Sequence, residues 1–166
     1  MTELRNLEDL FHHQLKDIYN AETQLIDALP KMEERAKNDE LKHAFSEHLE
    51  QTRNHQKRLQ EIADSLGIEI TGVKCEAMEG LIRESQSLFS EDAEDQTLDA
   101  GLIADAQKIE HYEISAYGTA REYAKALDKQ DAAEKLNQTL QEESNTDEKL
   151  NRIAIDNINA KAKAQA

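Results

Sequence analysis

The chain has 166 residues, only 4% of them aromatic and none of them tryptophan, and it carries a formal net charge of -15 with a pI near 4.8. That length suits one domain with a real core, and a composition rich in Ala, Leu, Glu, Lys and Gln favours an all-α protein. The acidic balance argues against nucleic-acid binding, which needs a basic patch, and leaves cations, metal ions among them, as partners.

Four long segments carry helical apolar spacing, at about 4–37, 40–66, 97–127 and 131–161. In the first, Leu7, Phe11, Ile18, Leu25 and Leu29 share one stripe, and Glu22 lies inside it. Pro30 is expected to kink this helix or break its last turns. Asn38 or Asp39 is placed to cap the next one. The second stripe runs through Leu41, Phe45, Leu59, Ile62 and Leu66, interrupted by His48, Thr52 and His55, with Gln51 on its flank and Glu50 on the opposite side. A segment of roughly 30 residues follows, opening on Gly67 and Gly72 and holding a short amphipathic run at about 75–89. The third long helix lines up Ile103, Ala106, Ile114 and Tyr117, with Glu110 and Glu113 between them. The fourth aligns Leu136, Leu140, Leu150 and Ala154 around Glu143 and Asp147, and ends in a small, polar tail, "NAKAKAQA", expected to fray.

Short links at "KNDE" and "LDKQD" make each pair of long helices an antiparallel hairpin, whereas the long link can run the length of a bundle. The expected fold is a single ferritin-like domain over 1–166, an up-down four-helix bundle with one long crossover that carries a short extra helix. No stretch approaches the roughly 20 apolar residues that span a bilayer. The start "MTELRNLEDLF" lacks an apolar signal region, so the expected location is cytoplasmic. One cysteine, Cys75, leaves no internal disulfide framework and no cysteine-rich zinc site. It reads as a structural or incidental thiol.

Residues level with each other in an antiparallel hairpin have a nearly constant index sum. Glu110 with Asp147 and Glu113 with Glu143 share such a sum, and both place the turn near residue 128, within "LDKQ". For the first hairpin, a turn near residue 38 puts the partner of Glu22 near residue 54, so His55 is the nearest inward polar side chain. Thr52 stands beside it, and His48 lies about 9 Å farther along at 1.5 Å per residue. Five acids thus share core-facing positions on three helices. Removing an ion from water costs several kcal/mol in a domain stable by about 5–15 kcal/mol, and no Lys or Arg stands on the matching stripes at that level. Protonated, hydrogen-bonded carboxyls would compensate, and so would bound cations. Two divalent ions set four positive charges against the five carboxylates, and carboxylate with imidazole suits iron or manganese. Glu22, His55, Glu110, Glu113, Glu143 and Asp147 are therefore the expected metal ligands, with His48 and Gln51 as lesser candidates.

The di-iron carboxylate proteins set one Glu on each of two helices and Glu-x-x-His on each of the other two, and this chain resembles them. More closely, "DIYNAETQL", "HLEQT", "QKIEHYEISAYG" and "TLQEESNTDEKL" resemble the bacterial YciE and YciF stress-protein family over nearly the whole chain. The resemblance implies a ferritin-like homodimer, cytoplasmic and stress-associated, with a rubrerythrin-like metal site and no well-established activity. It assigns Glu22 to the first-helix ligand, Glu110 and Glu113 to the paired glutamates and Glu143 to the fourth helix. The chain departs from the pattern in having Thr146 where the fourth-helix His would stand, and Gln51 where relatives tend to carry Glu. His55, or else His48, would then complete the second helix. His111 and Tyr112 read as surface or dimer-contact residues, and His12 and His13 as surface residues. Tyr117 reads either as a core tyrosine or as a donor or redox-active phenol beside the site.

Overall fold

A computed structural model describes residues 4–164. Its helices are α1 (Leu7–Arg35), α2 (Asp39–Leu66), α3 (Glu76–Leu88), α4 (Asp95–Ala126) and α5 (Gln130–Ile153), followed by a π-helical turn, Ala154–Ile158, and a short α6, Asn159–Ala164. Among the described residues there is no strand, and the chain is an all-α bundle. α1 packs on α2 and α4 on α5, while α1 also meets α4 and α2 meets α5. The four long helices therefore form a square, with α2 and α4 on one diagonal. The crossover carries α3 over α1 and α4.

Local signals explain the helix bounds. Asn6 starts α1 by accepting from Asp9 N at 2.8 Å, so the helix begins at Leu7 rather than Leu4. Asn38 caps α2 by accepting from Glu40 N and Leu41 N. Gly67 ends α2 in the left-handed conformation, φ 67°, with its N–H on the carbonyls of Ala63 and Asp64. Pro30 does not end α1, which runs on to Arg35. The ring stands on an exposed face, where the carbonyl deprived of its N–H partner can turn to water. The tail is helical through Ala164, and its last two residues lie outside the described residues.

Apolar packing falls into two clusters. One, toward the α1–α2 turn, holds Leu25, Leu29, Met32, Phe45, Leu102 and Leu150. The other, toward the opposite end, holds Phe11, Leu15, Ile18, Leu59, Ile62 and Leu136. Four expected stripe positions, Leu7, Leu66, Ile114 and Leu140, are only half-buried.

Tyr112, expected as a surface or dimer-contact residue, packs against both clusters within the chain. Two residues past Glu110 it points away from the bundle axis, but the crossover covers that side. Its hydroxyl donates to Asp17 Oδ2 at 2.7 Å and lies 2.9 Å from Cys75 Sγ. Burial pushes the Cys75 thiol up, away from the thiolate that a nucleophile needs. Cys75 also caps α3, so its role is structural.

The crossover brings α4 back to the α1–α2 turn, and Asp99 locks that return. Fully buried, it accepts from the backbone N–H groups of Lys37 and Asn38, both at 2.8 Å. Deleting the acceptor leaves two donors to be resatisfied. Asp99→Ala should lower stability by about 1–3 kcal/mol in urea unfolding, and Asp99→Asn, which keeps one acceptor oxygen, should lose less. An Asn variant as unstable as the Ala variant would show that both backbone bonds need the carboxylate.

Candidate metal centre

Between the two apolar clusters lies a polar layer. Glu22 from α1, His48, Thr52 and His55 from α2, Glu110, Glu113 and Tyr117 from α4, and Glu143 from α5 are all at most 3% exposed. Each comes from a stripe position that would otherwise hold Leu or Ile, so helix geometry alone aims them at one another.

The layer has two halves joined by Glu143. In one half, His48 Nε2 lies 3.1 Å from Glu110 Oε1, 4.0 Å from Glu113 Oε2 and 3.9 Å from Glu143 Oε2. In the other, His55 Nδ1 lies 3.4 Å from Glu22 Oε1 and 2.8 Å from Glu143 Oε1. Glu143 thus turns one oxygen to each histidine. Around an ion with ligand bonds near 2.1 Å, neighbouring ligand atoms sit about 3 Å apart and opposite ones about 4 Å apart. His48, Glu110, Glu113 and Glu143 offer donor atoms that all lie within 4.8 Å of one another, as do Glu22, His55 and Glu143.

Hydrogen bonding leaves these atoms free. Both ring nitrogens of His48, His55 Nδ1, Glu22 Oε2, Glu110 Oε2 and both oxygens of Glu113 and Glu143 are buried without a hydrogen-bond partner. The 2.8 Å approach of Glu143 Oε1 to His55 Nδ1 is close, but not aligned as a hydrogen bond. Orphaned buried polar atoms are rare in folded proteins. Here they converge, and the carboxylate and imidazole donors fit a hard or borderline divalent cation.

Several expected ligands shift place. His48, a lesser candidate, stands in the cluster, because a layer elongated along the bundle axis reaches about two helical turns beyond His55. Asp147 sits at the rim with 21% of its side chain exposed, 3.4 Å from His111 and accepting from Gln107 at 3.0 Å. Four residues past Glu143 is about 40° of helix rotation, enough to turn it onto the flank of α4. Gln51 also stays outside, accepting from Thr146 at 3.3 Å. His12 and His13, expected at the surface, are half-buried and stand outside the layer.

Two features were not foreseen, and a third had been an open alternative. Glu142 accepts from His55 Nε2 at 2.8 Å, and Arg58 grips Glu142 through Nη1 at 2.5 Å and Nη2 at 2.9 Å. Arg58 Nη1 also donates to Thr139 Oγ1 at 3.1 Å. Tyr117 donates to Glu22 Oε1 with its ring edge-on to His55, the donor role that the sequence left open. Finally, a cavity of about 10 Å³, close to the space of a single water, is lined by Leu25, Met32, Phe45, Ile109, His48 and Glu110, among others.

The site's charge state follows from burial. Desolvation pushes Glu110 and Glu143 up to about 8 and raises Glu113 well above the carboxylate range, with repulsion from Glu143 adding to it. Burial also raises Tyr117, so the phenol keeps its proton. His55 runs the other way: burial alone would lower it, but Glu142, Glu143 and Glu22 together push it up to about 12. Glu142 stays charged, held down to about 2 by His55 and Arg58 against its partial burial.

Four long helices in two hairpins joined by one long crossover make an all-α bundle of ferritin-like architecture, and its buried carboxylates and imidazoles could hold a metal ion. Residues 6–163 match the family described as a domain of unknown function, DUF892, and the chain belongs to that family. It is 43% identical over 164 residues, 98% of this chain and 99% of that protein, to protein YciF of Escherichia coli K12. The crystal structure of that stress protein superposes with a TM-score of 0.91, covering 94% of this chain and 99% of that one at 43% identity. YcfI from Rhodopseudomonas palustris superposes at 0.87 and 42% identity, covering 90% and 95%. A protein of Xanthomonas campestris pv. campestris shares the fold at 0.70 and 22% identity, covering 89% and 91%. Among the described residues no helix is long and apolar enough to cross a membrane.

The raised pKa values give a signed pH dependence. Unfolded carboxyls titrate near 4.5 and imidazole near 6.5, so between 4.5 and about 8 the folded chain keeps protons on Glu110 and Glu143 that the unfolded chain releases. Between 6.5 and about 12 it keeps one on His55. A folded state that binds more protons loses stability as pH rises. The melting temperature of chelated protein should therefore fall from about pH 6 to about pH 9, and added manganous ion should stabilise more at the upper end, where fewer protons compete. A flat or rising profile under chelation would contradict protonated core carboxyls.

Proposed function

We propose that the polar layer takes two divalent ions, iron or manganese, one held by Glu22, His55 and Glu143 and the other by His48, Glu110, Glu113 and Glu143. The observation that carries this reading is the convergence of buried, unpartnered oxygen and nitrogen atoms within ligand distance of one another. Iron there would supply one-electron redox chemistry toward peroxide or dioxygen, or a place for iron in transit. The chain's own contribution is to exclude bulk water, to hold the donors on rigid helices, and to supply carboxylates that balance added charge. The cavity beside His48 and Glu110 admits only a very small molecule. The likeness to a stress protein supports a role in stress; that the chain acts as a cytoplasmic homodimer is part of the same proposal.

A second reading has an observation of its own. His55, raised to about 12, is an internal cation among carboxylates, so the layer has a countercharge without metal. On that reading the chain is a non-enzymatic dimeric stress protein whose site is vestigial or structural. Metal content after aerobic and anaerobic purification, followed by peroxide consumption with ferrous iron supplied, separates the two. Two ions per chain with turnover support the first; a metal-free protein inert to peroxide supports the second.

Glu113→Ala combined with Glu143→Ala should abolish iron and manganese uptake, measured by elemental analysis after dialysis, while circular dichroism stays helical. Metal retained at the parental level would place any site elsewhere.

A further inference from the structure

The two halves of the layer are built differently. Every end ligand of the Glu22–His55 half has an outer partner. Tyr117 donates to Glu22 Oε1, which leaves Oε2 free and buried. Glu142 accepts from His55 Nε2 at 2.8 Å and is itself fixed by Arg58. With Nε2–H held on Glu142, an ion that displaces the Nδ1 proton finds that nitrogen's lone pair already aimed between Glu22 and Glu143. The other half has no such scaffold: neither nitrogen of His48 and neither oxygen of Glu113 has a hydrogen-bond partner. His48 and Glu110 also face the small cavity.

We infer that the two metal positions are inequivalent: a tight one at Glu22 and His55, preorganised by Tyr117, Glu142 and Arg58, and an exchangeable one at His48, Glu110 and Glu113 that opens to the cavity. This rests on the two-ion reading above. Outer partners of metal ligands are worth about 10–100-fold in affinity, because they fix tautomer and orientation before the ion arrives. A ligand without one gives up side-chain freedom as the ion binds. Glu142, Arg58 and Tyr117 are positioning residues, since they act through His55 and Glu22. The cavity lies on the exchangeable side, so a small reactant would meet the loosely held ion first.

The test is a manganous-ion titration of metal-free protein, with free ion read by electron paramagnetic resonance. The parent should fill in two steps whose dissociation constants differ by about 10–100-fold. His48→Ala should remove the weaker step and leave the tighter one. Glu142→Ala and Tyr117→Phe should each weaken the tighter step by about tenfold or more and leave the weaker step within about twofold. Glu142→Gln, whose amide oxygen still accepts from His55 Nε2, should keep the steps apart, which a simple loss of packing would not allow. Two ions bound in one indistinguishable step, or Glu142→Ala weakening both steps equally, would overturn the inference while leaving the two-ion reading intact. A parent that takes up no ion would instead remove the two-ion reading.

Discussion

The structure turns on a layer of buried carboxylates and imidazoles at mid-height in an otherwise apolar bundle. Each charge withdrawn from water costs several kcal/mol even after relaxation, and a domain of this size has about 5–15 kcal/mol in hand. The protein meets that cost in several ways at once. Burial keeps protons on Glu110, Glu113 and Glu143, His55 carries a positive charge among its acidic neighbours, and Tyr117 donates to Glu22. Orphaned atoms remain after all of these. They are what makes a cation the natural complement of the layer.

The rest of the fold serves that layer. Long helices are needed because the polar residues occupy roughly two turns, and apolar packing must continue on both sides of them. Phe11, Leu15 and Ile62 close one end, and Leu29, Phe45 and Leu102 close the other. The crossover returns the chain to the α1–α2 turn, where Asp99 ties α4 to Lys37 and Asn38. That tie sets the height of α4, and with it the height of Glu110 and Glu113 relative to Glu22.

Much of this was legible in the sequence, for identifiable reasons. Helical periodicity and link length gave the bundle and its crossover, and the index-sum rule paired Glu22 with His55 and Glu113 with Glu143. It worked because each pair lies on helices joined by a short turn. Contacts between helices not so joined escaped it. Glu142 with His55 and Arg58 spans α2 and α5, and no turn relates their heights. Asp147 was drawn inward by a stripe too coarse to resolve 40° of rotation. Tyr112 was sent outward because sequence did not show which face the crossover would cover.

The single polar layer also fixes the alignment of the bundle. Four helices with uniform leucine stripes could slide past one another by a turn at little cost, because one Leu packs much like the next. Here a slide of one turn would set Glu113 or Glu143 against Leu and Phe side chains and leave His55 without its acids. Every shifted arrangement strands an ion, so only one register is low in energy, as a buried polar residue does for a coiled coil. Whatever occupies the layer, its residues specify how the helices meet.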